Sequence, residues 1–94
     1  MEILQILAKE SYNTNRIYLY EENNSWCAYE QSAYYVNRMI SPIHVLKQVY
    51  APYSIIISKI ELGKSILWNR DWEIVSCSDN EVELAYRPNI NLVS

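Results

Sequence analysis

The chain of 94 residues has no phenylalanine, one glycine and one histidine. The single glycine, Gly63, excludes the usual glycine-rich phosphate loops. His44 stands alone and the two cysteines are distant in sequence, so no zinc-ligand spacing is present. No serine has an evident general base beside it. We therefore expect no catalytic residues, no metal site and no cofactor, and we predict that the protein is not an enzyme.

Two cysteines, Cys27 and Cys77, are too few for a disulfide framework. We expect both to be reduced and buried thiols. No apolar run is long enough to cross a membrane, and Glu2 stands where a signal peptide carries positive charge. These features predict a cytoplasmic protein without a membrane partner. The length predicts one domain over residues 1–94, with an N-terminal helix over 1–10 and a loosely docked tail over 89–94.

The charge is unevenly distributed, although the total is only −3. Residues 34–70 carry a net charge of +4, and the rest of the chain carries −7. The acidic total argues against nucleic acid, whereas a basic face would favour it. The candidate nucleic-acid-binding residues are Arg38, Lys47, Lys64 and Arg70. Nine tyrosines and three tryptophans supply half-polar aromatic groups, and Trp26 and Trp68 are candidates for base stacking or for a protein interface. The alternative for Trp26 is packing against the neighbouring helix, as is usual for a large aromatic residue in a hairpin strand.

Two β-hairpins are predicted from β-forming segments that flank short polar turns. Asn23-Asn24 joins the strands 16–22 and 25–30, because asparagine tolerates the left-handed conformation of tight turns. A two-residue loop places Tyr20 opposite Cys27, and apolar residues on both faces predict a hairpin covered on both sides. The second hairpin turns at Asp79-Asn80. It pairs Cys77 with Val82 and Val75 with Leu84, and it places Val75, Cys77, Val82, Leu84 and Tyr86 on one buried face.

Helical spacing follows the first hairpin. Ala33, Val36 and Ile40 mark one helix that ends at Ser41-Pro42, and a second helix is predicted from there to Pro52. The segment Ser54–Ser58, with three consecutive isoleucines, predicts an interior strand over 53–60 that is buried on both faces. A short helix over 63–71 follows. The fold class is therefore α+β, with a mixed sheet of about five strands and three to four short helices.

The first hairpin resembles the N-terminal mismatch-recognition domain of the DNA mismatch repair protein MutS. That family has an apolar strand followed by Gly-Asp-Phe-Tyr-Glu-x-Phe and a helix start with alanine. Here the letters IYLY (17–20) correspond to the strand. Trp26 falls at the family's tyrosine, Tyr29 near its second aromatic residue and Ala33 at its alanine. The resemblance covers residues 16–62 and implies an α+β fold with a nucleic-acid-binding surface.

The departures from the family pattern fall on its reading residues. Ser25 occupies the position of the wedging phenylalanine, and Cys27 occupies that of the glutamate that hydrogen-bonds the base. Serine offers no apolar wedge and a thiol is a poor acceptor, so mismatch recognition is not expected. Two functions remain open. The first is an accessory module that binds DNA or RNA. The alternative is a protein-interaction module that binds a protein partner, or a second copy of the chain to form a homodimer. The net negative charge of the chain favours this alternative.

Overall fold

A computed structural model of the chain describes residues 2–40, 47–51, 55–68 and 71–87, with the backbone alone for 47–51. Two α-helices, one 3-10 helix and six strands lie in these ranges. They are α1 (Ile3–Ser11), β1 (Arg16–Glu22), β2 (Ser25–Tyr29), α2 (Glu30–Met39), β3 (Lys47–Ala51), β4 (Ile55–Gly63), the 3-10 helix (Lys64–Leu67), β5 (Ile74–Cys77) and β6 (Glu81–Ala85). The predicted α+β class is confirmed, with two α-helices in these ranges against the three to four short helices expected.

The six strands form one sheet in the order β3-β4-β2-β1-β6-β5. Every pair of neighbours in this sheet is antiparallel, so the prediction of a mixed sheet is wrong. The reason is local: three pairs join strands that are consecutive in the chain, and short connections between neighbouring strands impose antiparallel pairing. β3 and β5 are the two edge strands.

The two helices pack on opposite faces of the sheet. On the α2 face, Ala33 and Val36 of the helix contact a buried cluster that includes Trp26 and Leu84. On the α1 face, Ile6 contacts a smaller cluster of sheet residues. These are Tyr20, Cys27, Tyr29 and Ile57. Because strand side chains alternate between faces, consecutive residues of the two central strands belong to different clusters.

The first hairpin forms as predicted. Asn23 and Asn24 have φ values of 50° and 64°, the left-handed conformation that a two-residue hairpin turn requires. Tyr20 pairs with Cys27 in the observed register. All side chains from Trp26 to Tyr29 are buried, which confirms that the hairpin is covered on both sides.

The predicted second helix is wrong where the structure describes it. Residues 47–51 form strand β3, which pairs with β4; residues 41–46 and 52–54 lie outside the described ranges. β4 is an interior strand, as predicted for 53–60, but its first residues are not buried on both faces. Ile56 is 57% exposed and Ile55 40% exposed, whereas Ile57 is 2% exposed. Strand β2 ends at Tyr29, which pairs with Lys59 of β4. The residues of β4 that precede Lys59 therefore extend past the end of β2.

The second hairpin has the predicted Cys77–Val82 pair, but a bulge between Ile74 and Ser76 changes the register beyond it. Leu84 pairs with Ile74, whereas the sequence predicted that Leu84 pairs with Val75. Val82 and Leu84 are buried, with Tyr86 beyond them, but every residue of β5 is exposed. The prediction that Val75 and Cys77 are buried is therefore wrong. α2 packs on β1, β2 and β4, and β5 lies two places beyond β1 at the edge of the sheet.

Candidate interaction surface

A buried carboxylate joins the two helices. Glu10, on the last turn of α1, is 1% exposed. Its Oε1 accepts hydrogen bonds from the Ser32 backbone N–H at 2.8 Å and from Asn13 Nδ2 at 3.1 Å. Its Oε2 accepts one from Ser32 Oγ at 2.5 Å. Ser32 Oγ in turn accepts the backbone N–H of Tyr18 at 2.9 Å, which ties the network to β1.

This network is structural in character because its donors and acceptors satisfy one another. Burial raises the pKa of Glu10 above its ordinary value, while the hydrogen bonds from Ser32 and Asn13 oppose that rise. Ser32 lies in the first turn of α2, whose N-cap residue Tyr29 makes no side-chain capping bond. Glu10 therefore supplies an acceptor for a free N–H at the start of α2, where its negative charge adds to that of Glu30.

A second polar network lies among strands β1, β2 and β4. Glu22 accepts a hydrogen bond from the Tyr29 hydroxyl and another from Lys59 Nζ at 3.0 Å. Burial raises the pKa of Glu22, but the bonds from Tyr29 and Lys59 outweigh it and the net direction is downward. Burial, reinforced by the charge of Glu22, raises the pKa of Cys27 to about 12. Cys27 is buried, as predicted, and a thiol with so high a pKa is protonated at neutral pH.

Most basic side chains of the described ranges are held by acids or by aromatic rings. The ion pairs are Arg16–Glu83 at 2.9 Å, Lys59–Glu22 at 3.0 Å, Lys59–Glu61 at 3.6 Å, Lys64–Glu21 at 3.8 Å and Arg87–Glu73. In addition, Lys9 Nζ lies 4.0 Å from the centre of the Tyr18 ring. These contacts neutralise positive charge that a phosphate backbone would otherwise attract.

The four predicted phosphate-binding cations are placed as follows. Arg38 is exposed on the last turn of α2. Lys64 pairs with Glu21. Lys47 is opposite Lys59 in the β3–β4 ladder, where only the backbone of β3 is described. Arg70 lies outside the described residues, as does His44.

The two candidate tryptophans have opposite environments. Trp26 is 5% exposed and belongs to the buried cluster of the α2 face, and Lys64 Nζ lies 4.3 Å from the centre of its ring. Trp68 follows the 3-10 helix and is 82% exposed. Trp26 therefore packs in the core, and Trp68 presents its ring to solvent.

Strand β5 is exposed at every residue. Ile74 is 49% exposed and Val75 is 47% exposed, although both are apolar and lie in a strand. Cys77 is also exposed. Edge strands in stable monomers are commonly protected by short length, a bulge, a charge or a proline. β5 is short and has a bulge between Ile74 and Ser76, but its residues, Ile-Val-Ser-Cys, include no charge and no proline.

The backbone of β5 offers hydrogen-bonding groups at its outer side. The Ser78 N–H donates to the Glu81 carbonyl at 2.8 Å, which makes Ser78–Glu81 a hydrogen-bonded pair. Bonded and non-bonded pairs alternate in an antiparallel ladder, so the adjacent pair Cys77–Val82 is non-bonded. The N–H and C=O groups of Cys77 consequently point away from β6. The sequence pattern missed this surface because it assigned Val75 and Cys77 to the core.

Acidic residues surround this edge. Residues 71–87 contain five acids and one basic residue, a net charge of −4. The basic residue, Arg87, is paired with Glu73. Glu81 lines a cavity of about 240 Å³ together with Ile6, Tyr20 and Glu22, between α1 and the end of the β1–β6 pair. The edge therefore combines apolar side chains, outward backbone groups and negative charge.

The described ranges are 2–40, 47–51, 55–68 and 71–87. They contain no group of three or more histidine, cysteine, aspartate or glutamate side chains placed to hold a metal ion. Neither helix in them has the length and apolar character needed to cross a membrane.

The chain matches no protein-family model, no curated protein and no solved structure. The resemblance to the mismatch-recognition domain remains a prediction from the residues of the first hairpin.

Proposed function

We propose that this chain is a protein-interaction module that binds an extended segment of a partner protein along the edge strand β5. The observation that carries the proposal is an edge strand exposed at every residue and free of charge between Glu73 and Asp79. A partner strand added there would extend the six-stranded sheet by one strand. Its backbone would pair with the outward groups of β5, and its side chains would contact Ile74 and Val75.

The energetic basis of this proposal is the exposure of groups that a folded domain usually hides. Ile74 and Val75 each leave about half of their surface in water, and burying such apolar area is favourable at roughly 25 cal/mol per Å². The outward N–H and C=O of Cys77 would exchange water for backbone partners, a change of only about 1 kcal/mol per bond. Side-chain burial would therefore supply affinity, and the backbone would fix the direction of the partner.

The arrangement of charges supports a protein partner over nucleic acid. Lys64 is paired with Glu21, Lys59 with Glu22, and Arg16 with Glu83. A phosphate would have to compete with these carboxylates for each cation. The buried position of Trp26 supports its packing role over base stacking.

The test uses a displayed library of random peptides selected on the full-length protein. We expect selected peptides to bind the wild-type chain and to lose binding when Cys77→Pro removes the outward N–H. Proline is tolerated at edge positions whose N–H faces solvent, so this variant keeps the β5–β6 ladder. Cys77→Ser is the matched control, because it changes the side chain and retains the N–H.

The outcomes separate the candidate functions. Peptides that bind wild type and Cys77→Ser but not Cys77→Pro, with equal melting temperatures for the two variants, support strand addition. Failure to select any β5-dependent peptide refutes the proposal. A parallel titration with single- and double-stranded DNA measures the alternative. Salt-sensitive DNA binding that Arg38→Ala or Lys64→Ala weakens would favour the nucleic-acid function instead.

A further inference from the structure

Resting on the proposed function, we infer that the partner of β5 is a basic extended segment, with lysine or arginine side chains directed to the α1 face of the sheet. The juxtaposition that points to it is two short serines, Ser76 in β5 and Ser78 just after it, next to the two glutamates of β6. Ser76 pairs with Glu83, and the Ser78 backbone N–H bonds to the Glu81 carbonyl. The inference specifies the chemistry of the partner, which strand addition alone leaves open.

The short serines leave the glutamates within reach of an added strand. Neighbouring strands are about 4.8 Å apart, so an added strand would lie roughly 10 Å from β6, with β5 between them. Paired residues in antiparallel strands project from the same face, so Ser76 lies on the face of Glu83. A serine side chain is too short to obstruct the space above it. Lysine and arginine are long and flexible enough to extend across it toward Glu81 and Glu83.

Among the residues that the structure describes, the charges on this face leave Glu81 as the principal acceptor without an ion pair. Glu83 is paired with Arg16, and the Lys9 ammonium lies over the Tyr18 ring beside the same β6 glutamates. Glu81 is partly buried, and it lines both the cavity shared with Glu22 and the smaller one shared with Ser76. A partner's cation above Ser76 or Ser78 would therefore meet Glu81 first.

The same charges disfavour a second copy of the chain as the occupant. Self-pairing of β5 would bring together two hairpins that each carry a net charge of −4. Like charges in close apposition oppose association, whereas opposite charges steer it and set partner choice. A basic segment is the occupant whose charge complements this edge.

The experiment compares two synthetic peptides with the same alternating pattern, one a Lys-Val repeat and the other a Glu-Val repeat. We expect the Lys-Val peptide to bind the full-length protein and the Glu-Val peptide not to bind. We expect Glu81→Gln to weaken the Lys-Val complex by roughly two- to fivefold, the range of a single partly screened ion pair. Glu61→Gln removes the same charge from β4, which is four places from β5 in the strand order, and should leave the affinity unchanged. High salt should abolish the difference between wild type and Glu81→Gln.

The outcomes distinguish failure of this inference from failure of the proposed function. If β5-dependent library peptides are found but are not enriched in lysine or arginine, strand addition stands and the basic partner is refuted. Equal effects of Glu81→Gln and Glu61→Gln on the affinity of the Lys-Val peptide would also refute the basic partner. Sedimentation velocity on the free protein provides the third outcome. We expect a monomer, and a dimer that Cys77→Pro dissociates would assign the edge to a second copy.

Discussion

Replacing Glu10 by alanine should severely destabilise the fold. The substitution removes a carboxylate that accepts three hydrogen bonds, two from Ser32 and one from Asn13. It leaves the Ser32 N–H at the start of α2 without its partner in a site where Glu10 is 1% exposed. An unsatisfied buried donor costs about 1–3 kcal/mol, and the lost charge at a helix N-terminus costs about 0.3–1 kcal/mol. Together with the cavity that the missing side chain leaves, we expect a loss of about 3–5 kcal/mol.

The measurement is urea unfolding monitored by circular dichroism, with the free energy of unfolding extrapolated to water. A loss of this size removes a large part of the 5–15 kcal/mol that stabilises typical domains. Glu61→Ala is the matched control, because it deletes a more exposed glutamate from β4, and it should change stability by less than about 1 kcal/mol. A loss below about 1 kcal/mol for Glu10→Ala would refute the claim that this network joins the helices.

The pH dependence gives a second, independent check on Glu10. Burial holds its folded pKa above the ordinary value of 4.5. The folded state therefore binds this proton more readily than the unfolded chain does, and the contribution of Glu10 to stability increases as pH falls from the folded pKa toward 4.5. The stability of wild type relative to Glu10→Gln, which cannot titrate, should increase over that interval. A difference that decreases as pH falls would mean that the hydrogen bonds outweigh burial.

Three further predictions concern burial. Trp26→Ala should cost about 3–5 kcal/mol, whereas Trp68→Ala should change the free energy of unfolding by less than about 0.5 kcal/mol; equal losses would contradict their placement. Ile56→Ala should cost less than the 2–5 kcal/mol typical of a buried isoleucine, about 1 kcal/mol, because that side chain is 57% exposed. A thiol reagent should modify Cys77 in the native protein and Cys27 only after unfolding, and rapid native modification of both thiols would show that the Cys27 site is open.

Local patterns predicted the elements whose geometry a few neighbouring residues control. The turn at Asn23-Asn24 sets the register of the first hairpin, since both residues adopt the left-handed conformation that the loop length demands. The spacing of Ala33 and Val36 predicted the buried side of α2 for the same reason: helical periodicity depends only on near neighbours in the chain. Trp26 is one of the six candidate site residues. For it, the sequence left two interpretations open, a binding site or packing, and the structure shows packing.

The sequence by itself determined the α+β class, both hairpins and the interior position of β4. Tertiary structure decided which other elements pack on these strands. Residues 47–51 form a strand because they pair with β4, although their apolar spacing also fits a helix. Glu10 finds its partner Ser32 twenty-two positions away. β5 stays exposed because α2 packs on β1, β2 and β4. Alternation shows which strand residues share a face, but only the packing of distant elements determines whether that face is covered.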